Sequence, residues 1–369
     1  MNYNINEQML GFDRVLSWEG QVPALVKEGE HYFLQLRAPE AKKVTFTMNE
    51  EEFPCSREEN GIWRMKYTVH AGIQYVQLKI DGVEVVTPLL PITYGYSRPY
   101  NYVALEIEAE DFYCIKDVPH GSVRREYFFS KVTGEWESCV VYTPYCYEKE
   151  KEREFPVLYL QHGHGENEVG WTASGKVNFI LDNLIAEKKA VPMVVVMSNG
   201  MVQTLNGNGK RIVDFRLFEK QLLMDIIPYA EEKFRIGRTK KMRAMAGLSM
   251  GSLQTSITGF DHPEYFSSLG IFSGFVSDMI QGSPLDMVQR EASKNEHMKI
   301  LDDADMFNSI FDVYFRAMGD QDPFWEHFDH DDQILKEKGI NQIRRVYPGA
   351  HDWNVWRMCI CDFAQLIFK

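Results

Sequence analysis

The stretch that decides the fold is Met245-Ala246-Gly247-Leu248-Ser249-Met250-Gly251-Ser252. Within it, Gly247-x-Ser249-x-Gly251 has the spacing of a nucleophile elbow, a strand-to-helix turn so tight that its serine takes strained backbone angles. Side chains two residues before or after that serine would clash, so small residues are required at both positions. The apolar run Met242–Ala246 predicts a buried strand before the turn, and Ser252–Gly259 predicts the first turns of a helix after it.

Strands and helices alternate along the chain around this turn. Phe155–Leu160 is a continuous apolar run, typical of a strand buried on both faces, and Asn178–Ala186 has helical spacing. This alternation predicts a mostly parallel, doubly wound sheet, which binds ligands at the carboxyl ends of its strands. The other predicted strands are Glu126–Phe129, Glu137–Tyr142, Met193–Met197, Ser268–Phe272, Asp312–Met318 and Ile343–Tyr347, and the other predicted helices are Phe215–Lys233, Asp331–Lys338 and Val355–Phe368.

The first third of the chain has a different pattern. Ile62–Tyr67 and Tyr75–Ile80 alternate apolar and polar residues, and Asp81-Gly82 is a strong signal for a tight hairpin. Short strands at this spacing predict a small antiparallel β-sandwich. We therefore predict two domains, an all-β sandwich with its linker over residues 1–110 and an α/β domain over residues 111–369.

Composition restricts the classes of partner. The chain has 369 residues, a formal charge of −13 and 44% hydrophobic residues, which argues against nucleic acid or an anionic membrane as its main partner. The first residues show no basic segment followed by an apolar run, and no window is apolar enough to span a membrane, so we expect a cytoplasmic protein. Its six cysteines have no framework spacing and are predicted to be free thiols, most of them buried.

A serine nucleophile needs a base, and the base needs an orienting acid. In an α/β-hydrolase these follow the serine in the order acid, then histidine. His351 follows the predicted strand Ile343–Tyr347 in a loop that enters the last helix, which is where the base belongs. Asp320 and Asp322 both lie at the tip of the strand before it, and either could be the acid.

The tetrahedral intermediate of ester hydrolysis also needs backbone N–H donors. Met250, directly after the serine, is expected to supply one, and the glycine-flanked His164 is expected to supply the other. His162 and His164 alternate without a third metal ligand in range, so we predict no metal and no cofactor.

Five motifs follow one another along the chain: Leu158-Tyr159-Leu160-x-His162-Gly163, Gly170-Trp171, Asn178–Ala186, Gly247-x-Ser249-x-Gly251 and Gly349-x-His351-Asp352-Trp353-x-x-Trp356. Together they resemble the esterase D-like putative esterase family. That family includes feruloyl esterases of carbohydrate esterase family 1, enterochelin esterases and mycolyltransferases. In its feruloyl-type members the acid is the last residue of a Gly-x-x-Asp turn, which implies Asp322 here. The first third resembles the immunoglobulin-like early-set domains that precede many esterase domains.

The resemblance implies a serine esterase and leaves the substrate open. Aromatic residues near the predicted site suit a hydroxycinnamoyl (feruloyl) or acetyl ester of a plant-derived oligosaccharide. The expected substrate contacts are Trp171, Phe275, Trp325 and Trp353. The alternative is that some of them, Trp353 especially, pack against the last helix and do not contact substrate. The alternatives are an enterochelin-type siderophore esterase and, more distantly, a non-catalytic binding protein with a hydrolase fold. A homodimer is also left open.

Overall fold

The computed structural model describes residues 22–48, 51–68, 72–95, 97–105, 111–205, 207–276 and 297–369. The chain divides into two compact units, residues 1–116 and residues 117–369. In the described residues, no helix is both long and apolar enough to cross a membrane.

Unit 1 is all-β. Its strands form two antiparallel sheets, with the orders β1-β2-β6-β5 and β4-β3-β7-β10-β9, and β8 pairs with β7. Leu34 and Met65 from the first sheet share one core with Phe46 and Val76 from the second, so the two sheets pack face to face as predicted. The strands are β1 (Leu25–Glu28), β2 (His31–Arg37), β3 (Val44–Met48), β4 (Glu51–Pro54), β5 (Ser56–Arg57), β6 (Ile62–Tyr67), β7 (Gly72–Ile80), β8 (Val83–Val85), β9 (Ile92–Gly95) and β10 (Arg98–Leu105).

The predicted Asp81-Gly82 hairpin connects β7 to β8. Both residues have positive φ, 50° at Asp81 and 84° at Gly82, as a two-residue turn of this kind requires. Asp81 also uses its carboxylate, which accepts the Lys42 and Lys43 N–H groups at 2.8 Å. The two-residue turn, which is predictable from the local sequence, therefore determines the register between β7 and β8.

Unit 2 contains an eight-stranded sheet of order β11-β12-β14-β13-β17-β18-β19-β20. Strand β12 runs antiparallel to both of its neighbours, the edge strand β11 and β14, and the six strands from β14 to β20 in this order run parallel to one another. These strands are β11 (Ser122–Phe129), β12 (Trp136–Thr143), β13 (Val157–Gln161), β14 (Val194–Ser198), β17 (Arg243–Leu248), β18 (Ser268–Phe272), β19 (Val313–Gly319) and β20 (Ile343–Tyr347), and a separate hairpin is formed by β15 (Gln203–Leu205) and β16 (Arg211–Val213).

The described helices of unit 2 connect these strands. They are α1 (Gly170–Ala173), α2 (Val177–Ala186), α3 (Phe215–Gln221), α4 (Ile227–Lys233), α5 (Met250–Asp261), α6 (Ala304–Ile310), α7 (Trp325–Glu337) and α8 (Trp353–Ala364). A π-helical turn, Leu222–Ile226, joins α3 to α4, so the long predicted helix is interrupted at its centre. Helix α7 begins six residues before its predicted start and contains His327 and His330.

The parallel strands place four loops at one edge of the sheet. The loops after β13, β17, β19 and β20 carry His162, Ser249, Asp322 and His351, respectively. Because carboxyl ends of parallel strands meet at one edge, residues almost 200 positions apart in the chain lie in one region. The fold therefore gathers the predicted site residues without any of them lying inside a strand.

Candidate active site

Ser249 lies between strand β17 and helix α5 in a strained conformation. Its backbone angles are φ 50° and ψ −118°, which side-chain-bearing residues rarely adopt. A Cβ at Gly247 would stand 2.3 Å from the Gly251 carbonyl oxygen, and a Cβ at Gly251 would stand 2.6 Å from the His162 carbonyl oxygen. Both collisions are with backbone atoms, so the two glycines are required for the reason predicted from the sequence.

Ser252 is the third residue of helix α5 and lies beside the elbow. Its hydroxyl donates to the Ser249 carbonyl oxygen at 2.5 Å. Opposite it lies Gly274, where a Cβ would stand only 1.8 Å from the Ser252 Oγ. The serine is therefore accommodated because the facing residue has no side chain.

Asp322 and His351 form a hydrogen-bonded pair. His351 Nδ1 lies 2.8 Å from Asp322 Oδ2, and the Asp322 side chain is fully buried. The second carboxylate oxygen accepts the Phe324 N–H at 3.0 Å, so both oxygens are held. A buried carboxylate in this position favours the tautomer with a proton on Nδ1, which leaves Nε2 free to accept one.

Asp320, the alternative acid, lies in a different environment. It is exposed, and its carboxylate accepts the Gly349 N–H at 3.0 Å. It therefore fastens the loop that carries His351 to the tip of β19. The structure brings Asp322, and not Asp320, to the histidine.

His162 connects two of the loops at this edge. Its Nε2 accepts the Gly200 N–H at 2.9 Å, and its Nδ1 lies 2.8 Å from the Gly163 carbonyl oxygen. This arrangement requires a neutral ring with its proton on Nδ1, and burial lowers the pKa of His162 in agreement. With both nitrogens engaged by backbone groups, this side chain has no lone pair left for a metal ion.

Glu166 is a buried acid in the same loop, four residues after His162. Its Oε2 accepts the Gly163 N–H at 2.9 Å, and its side chain also hydrogen-bonds Trp353. Burial raises the pKa of Glu166 to about 7, and these two hydrogen bonds oppose the rise. Gly163 in turn lies beside Ser249, since a Cβ placed on it would stand 3.6 Å from Ser249 Cβ.

Replacing Glu166 by glutamine should make stability less dependent on pH. A folded-state pKa of about 7 against an ordinary value of 4.5 means that the folded wild type binds the proton more tightly. The wild type therefore loses stability as pH rises through this interval, and Glu166→Gln does not. Between pH 5 and pH 8 the free energy of unfolding of the variant relative to wild type should rise by about 2 kcal/mol. Urea titrations at both pH values measure this difference, and an unchanged difference would contradict the assignment.

The predicted oxyanion donors are the backbone N–H groups of Met250 and His164. Among the described residues, neither the His164 N–H nor the Met250 N–H has a hydrogen-bond acceptor. Met250 is the first residue of α5, so its N–H also lies at the positive end of a helix dipole. Both groups are available to a substrate oxygen.

The predicted aromatic contacts need correction at two positions. Trp171 and Trp353 are 1% and 2% exposed, and their rings meet edge to face at 5.1 Å. The indole N–H of Trp171 is used by the Gln161 carbonyl oxygen at 2.8 Å. These two tryptophans pack the core beneath the loop after β13, so the structure does not support their prediction as substrate contacts.

Of the other two predicted contacts, Phe275 is linked to His351 through the ring of Phe324. Its ring stacks on His327 at 4.7 Å and contacts Phe324, which meets His351 edge to face at 5.2 Å. Trp325 instead contacts Phe328 and the guanidinium of Arg344 on β20.

An apolar cluster beside the elbow was not identified from the sequence. Its buried members Met250, Leu253, Ile257, Val213 and Phe275 pack against partly exposed Met201 and Phe324. Phe324 could have been noticed because it follows Asp322 by two residues. Met201 carried no signal, since a methionine after a strand has no distinctive pattern.

Most of unit 2 matches a known protein family. Residues 130–363, more than half of the chain, match the family described as "Putative esterase". The chain belongs to this esterase family. Over 359 residues the chain is 31% identical to an endo-1,4-beta-xylanase/feruloyl esterase of Xylanibacter ruminicola, an alignment that covers 95% of this chain and 46% of that protein. The chain spans about half the length of the curated relatives it matches first.

Solved structures give the same picture of the fold. A ferulic acid esterase superposes with a TM-score of 0.57 at 26% identity, covering 68% of this chain and 99% of that one. The enterobactin esterase FES from Shigella flexneri superposes with a TM-score of 0.65 over 94% of this chain and 95% of that one, at 13% identity. At this identity, the match to the enterobactin esterase shows similarity of fold only.

Proposed function

We propose that this protein is a serine carboxylesterase that hydrolyses hydroxycinnamoyl esters, with feruloyl groups on plant-derived oligosaccharides as its substrate class. The observation that carries the reaction type is the strained Ser249 at the end of β17, on the same sheet edge as the buried Asp322–His351 pair. An α/β-hydrolase domain over residues 111–369, preceded by an immunoglobulin-like early-set domain, accommodates this chemistry.

In the proposed mechanism, Ser249 Oγ attacks the ester carbonyl carbon while His351 Nε2 accepts the hydroxyl proton. Asp322 keeps the other ring nitrogen protonated and stabilises the imidazolium that forms. The N–H groups of Met250 and His164 stabilise the tetrahedral oxyanion, and its collapse releases the alcohol with the proton from His351. Water then attacks the acyl-enzyme by the same steps and frees the acid. No cofactor or metal takes part.

Two observations support an aromatic acyl group. The apolar cluster beside the elbow ends in partly exposed Phe324 and Met201, and Phe324 contacts His351 directly. A flat, mostly apolar acyl chain would bury roughly 150–250 Å² on such a surface, and an acetyl group would leave most of the surface exposed. The relative that matches most of this chain is also named a feruloyl esterase.

The enterochelin alternative is disfavoured by charge. A ferric catecholate is trianionic and should be held by arginines or lysines. Three arginines of unit 2 are engaged by other groups: Arg316 by Asp331 and Asp332, Arg344 by Asp332, and Arg357 by the Ser174 carbonyl oxygen. The likeness to an enterobactin esterase concerns the fold.

A comparison of substrates tests the proposal. We expect kcat/KM for methyl ferulate to exceed that for an acetylated xylo-oligosaccharide and that for enterochelin, each by at least about tenfold. Phe324→Ala should reduce the preference for ferulate over acetate by roughly tenfold, because it removes one aryl contact and leaves the triad intact. Trp325→Ala is the matched control, since that ring contacts Phe328 and Arg344. Faster cleavage of enterochelin would overturn the substrate assignment.

A further inference from the structure

Glu166 contacts Gly163 twice. Its carboxylate accepts the Gly163 N–H at 2.9 Å, and its own backbone N–H donates to the Gly163 carbonyl oxygen at 3.2 Å. That carbonyl oxygen also lies 2.8 Å from His162 Nδ1. Both backbone polar groups of Gly163 are therefore held. The Glu166 carboxylate binds the Gly163 N–H, and the Glu166 backbone N–H binds the Gly163 carbonyl oxygen.

The orientation of the His164 N–H follows from these contacts. The described residues contain no cis peptide, so the carbonyl group of Gly163 and the N–H of His164 point in opposite directions across one planar unit. Because the His162 ring and the Glu166 backbone N–H hold the carbonyl on one side, the His164 N–H must point to the other. The Glu166 carboxylate fixes the preceding peptide unit through the Gly163 N–H, and so holds Gly163 in the conformation that allows these contacts. A glycine has little conformational preference of its own, so this orientation depends on the groups that hold it.

The burial of Glu166 makes water a poor substitute for its carboxylate. Only 8% of the residue is exposed, and it packs between Gly163, Gly170 and Trp353. If the acceptor were removed, the Gly163 N–H would be left without a partner in a buried place, and the loop would shift to find one.

From this geometry we infer that Glu166 is a positioning residue that aims the His164 N–H at the oxyanion. The inference rests on the proposed function, because it assigns a role to that N–H only if Ser249 forms a tetrahedral intermediate. Glu166 does not touch substrate. It acts through Gly163, and its effect should appear in the transition state rather than in substrate binding.

The test compares four variants with p-nitrophenyl acetate, an activated ester that does not depend on the feruloyl assignment. Glu166→Leu removes the acceptor, Glu166→Asp shortens it, and Glu166→Gln retains an oxygen of the same reach. Glu168→Gln is the control, because Glu168 is also buried in this loop but bonds Ser138 and Arg125 instead. Phenylboronic acid, which forms a tetrahedral adduct with a catalytic serine, reports on the oxyanion site without turnover.

We expect Glu166→Leu to lower kcat by about 10²-fold and to weaken phenylboronate binding by a similar factor, with KM changed less than about threefold. Glu166→Asp should lose about tenfold, and Glu166→Gln and Glu168→Gln should stay within about fivefold of wild type. If the leucine variant does not fold, the aspartate variant decides. Wild-type kcat in either folded variant, or lost kcat with unchanged boronate affinity, would overturn the inference.

The outcomes separate this inference from the proposed function. A wild type that hydrolyses p-nitrophenyl acetate but not methyl ferulate would refute the substrate class and leave the Glu166 comparison intact. Retention of p-nitrophenyl acetate hydrolysis by Ser249→Ala would overturn both.

Discussion

Ser249→Ala is expected to lower kcat for p-nitrophenyl acetate by about 10⁵-fold or more, because the acyl-enzyme can no longer form. The effect should be confined to chemistry. Alanine fits the elbow, since the strained φ of 50° belongs to the backbone and no described contact depends on the serine hydroxyl. Steady-state kinetics of both proteins, together with their unfolding curves, measure the loss and show that the fold is retained.

Ser252→Ala is the matched control for this substitution. It removes the neighbouring hydroxyl, which donates to the Ser249 carbonyl oxygen at 2.5 Å and faces Gly274. We expect less than about a tenfold change in kcat, because no proton is transferred through this hydroxyl. Equal losses in the two variants would mean that the elbow geometry, and not a nucleophile at Ser249, is what the first variant disturbs.

Asp322→Asn is expected to lower kcat by about 10⁴-fold. An amide at this position can present its NH₂ group to His351 Nδ1, which would drive the imidazole proton to Nε2 and abolish its function as a base. The structure predicts little change in stability, because the shape is kept and the second oxygen can still accept the Phe324 N–H. The measurement is kcat over a range of pH.

Asp320→Asn separates this effect from a general disturbance of the strand tip. Asp320 follows the same strand but bonds the Gly349 N–H, and an asparagine oxygen can accept that bond equally well. We expect kcat within about fivefold of wild type. A loss in Asp320→Asn as large as that in Asp322→Asn would remove the distinction between the two carboxylates.

The sequence predicted the architecture well where a pattern was local. Ile62–Tyr67, Ser268–Phe272 and Ile343–Tyr347 are strands with the predicted bounds. In the first of them, alternation of apolar and polar residues leaves few other conformations. The elbow was predictable for a related reason, since the tightness of the turn dictates its glycines. In each case the neighbours along the chain determine the outcome.

Features that depend on residues far apart in the chain were harder to predict. Trp171 and Trp353 lie within conspicuous sequence motifs, but they are buried because their rings pack against each other. Gly175 has no side chain and so leaves room for both rings. Glu166 gave no signal, because a glutamate in a loop is usually exposed and only the folded site surrounds this one. The choice of Asp322 came from family resemblance, and its spatial reason is the position of His351.

Chemical labelling tests whether Ser249 is the nucleophile. The protein would be treated with a fluorophosphonate, digested, and examined by mass spectrometry for the modified residue, with Ser249→Ala and His351→Ala treated in parallel. We predict one adduct per chain, located on Ser249, absent from Ser249→Ala and formed at least about 10³-fold more slowly in His351→Ala. A label on another residue, or equal labelling of Ser249→Ala, would contradict the assignment of Ser249 as the nucleophile.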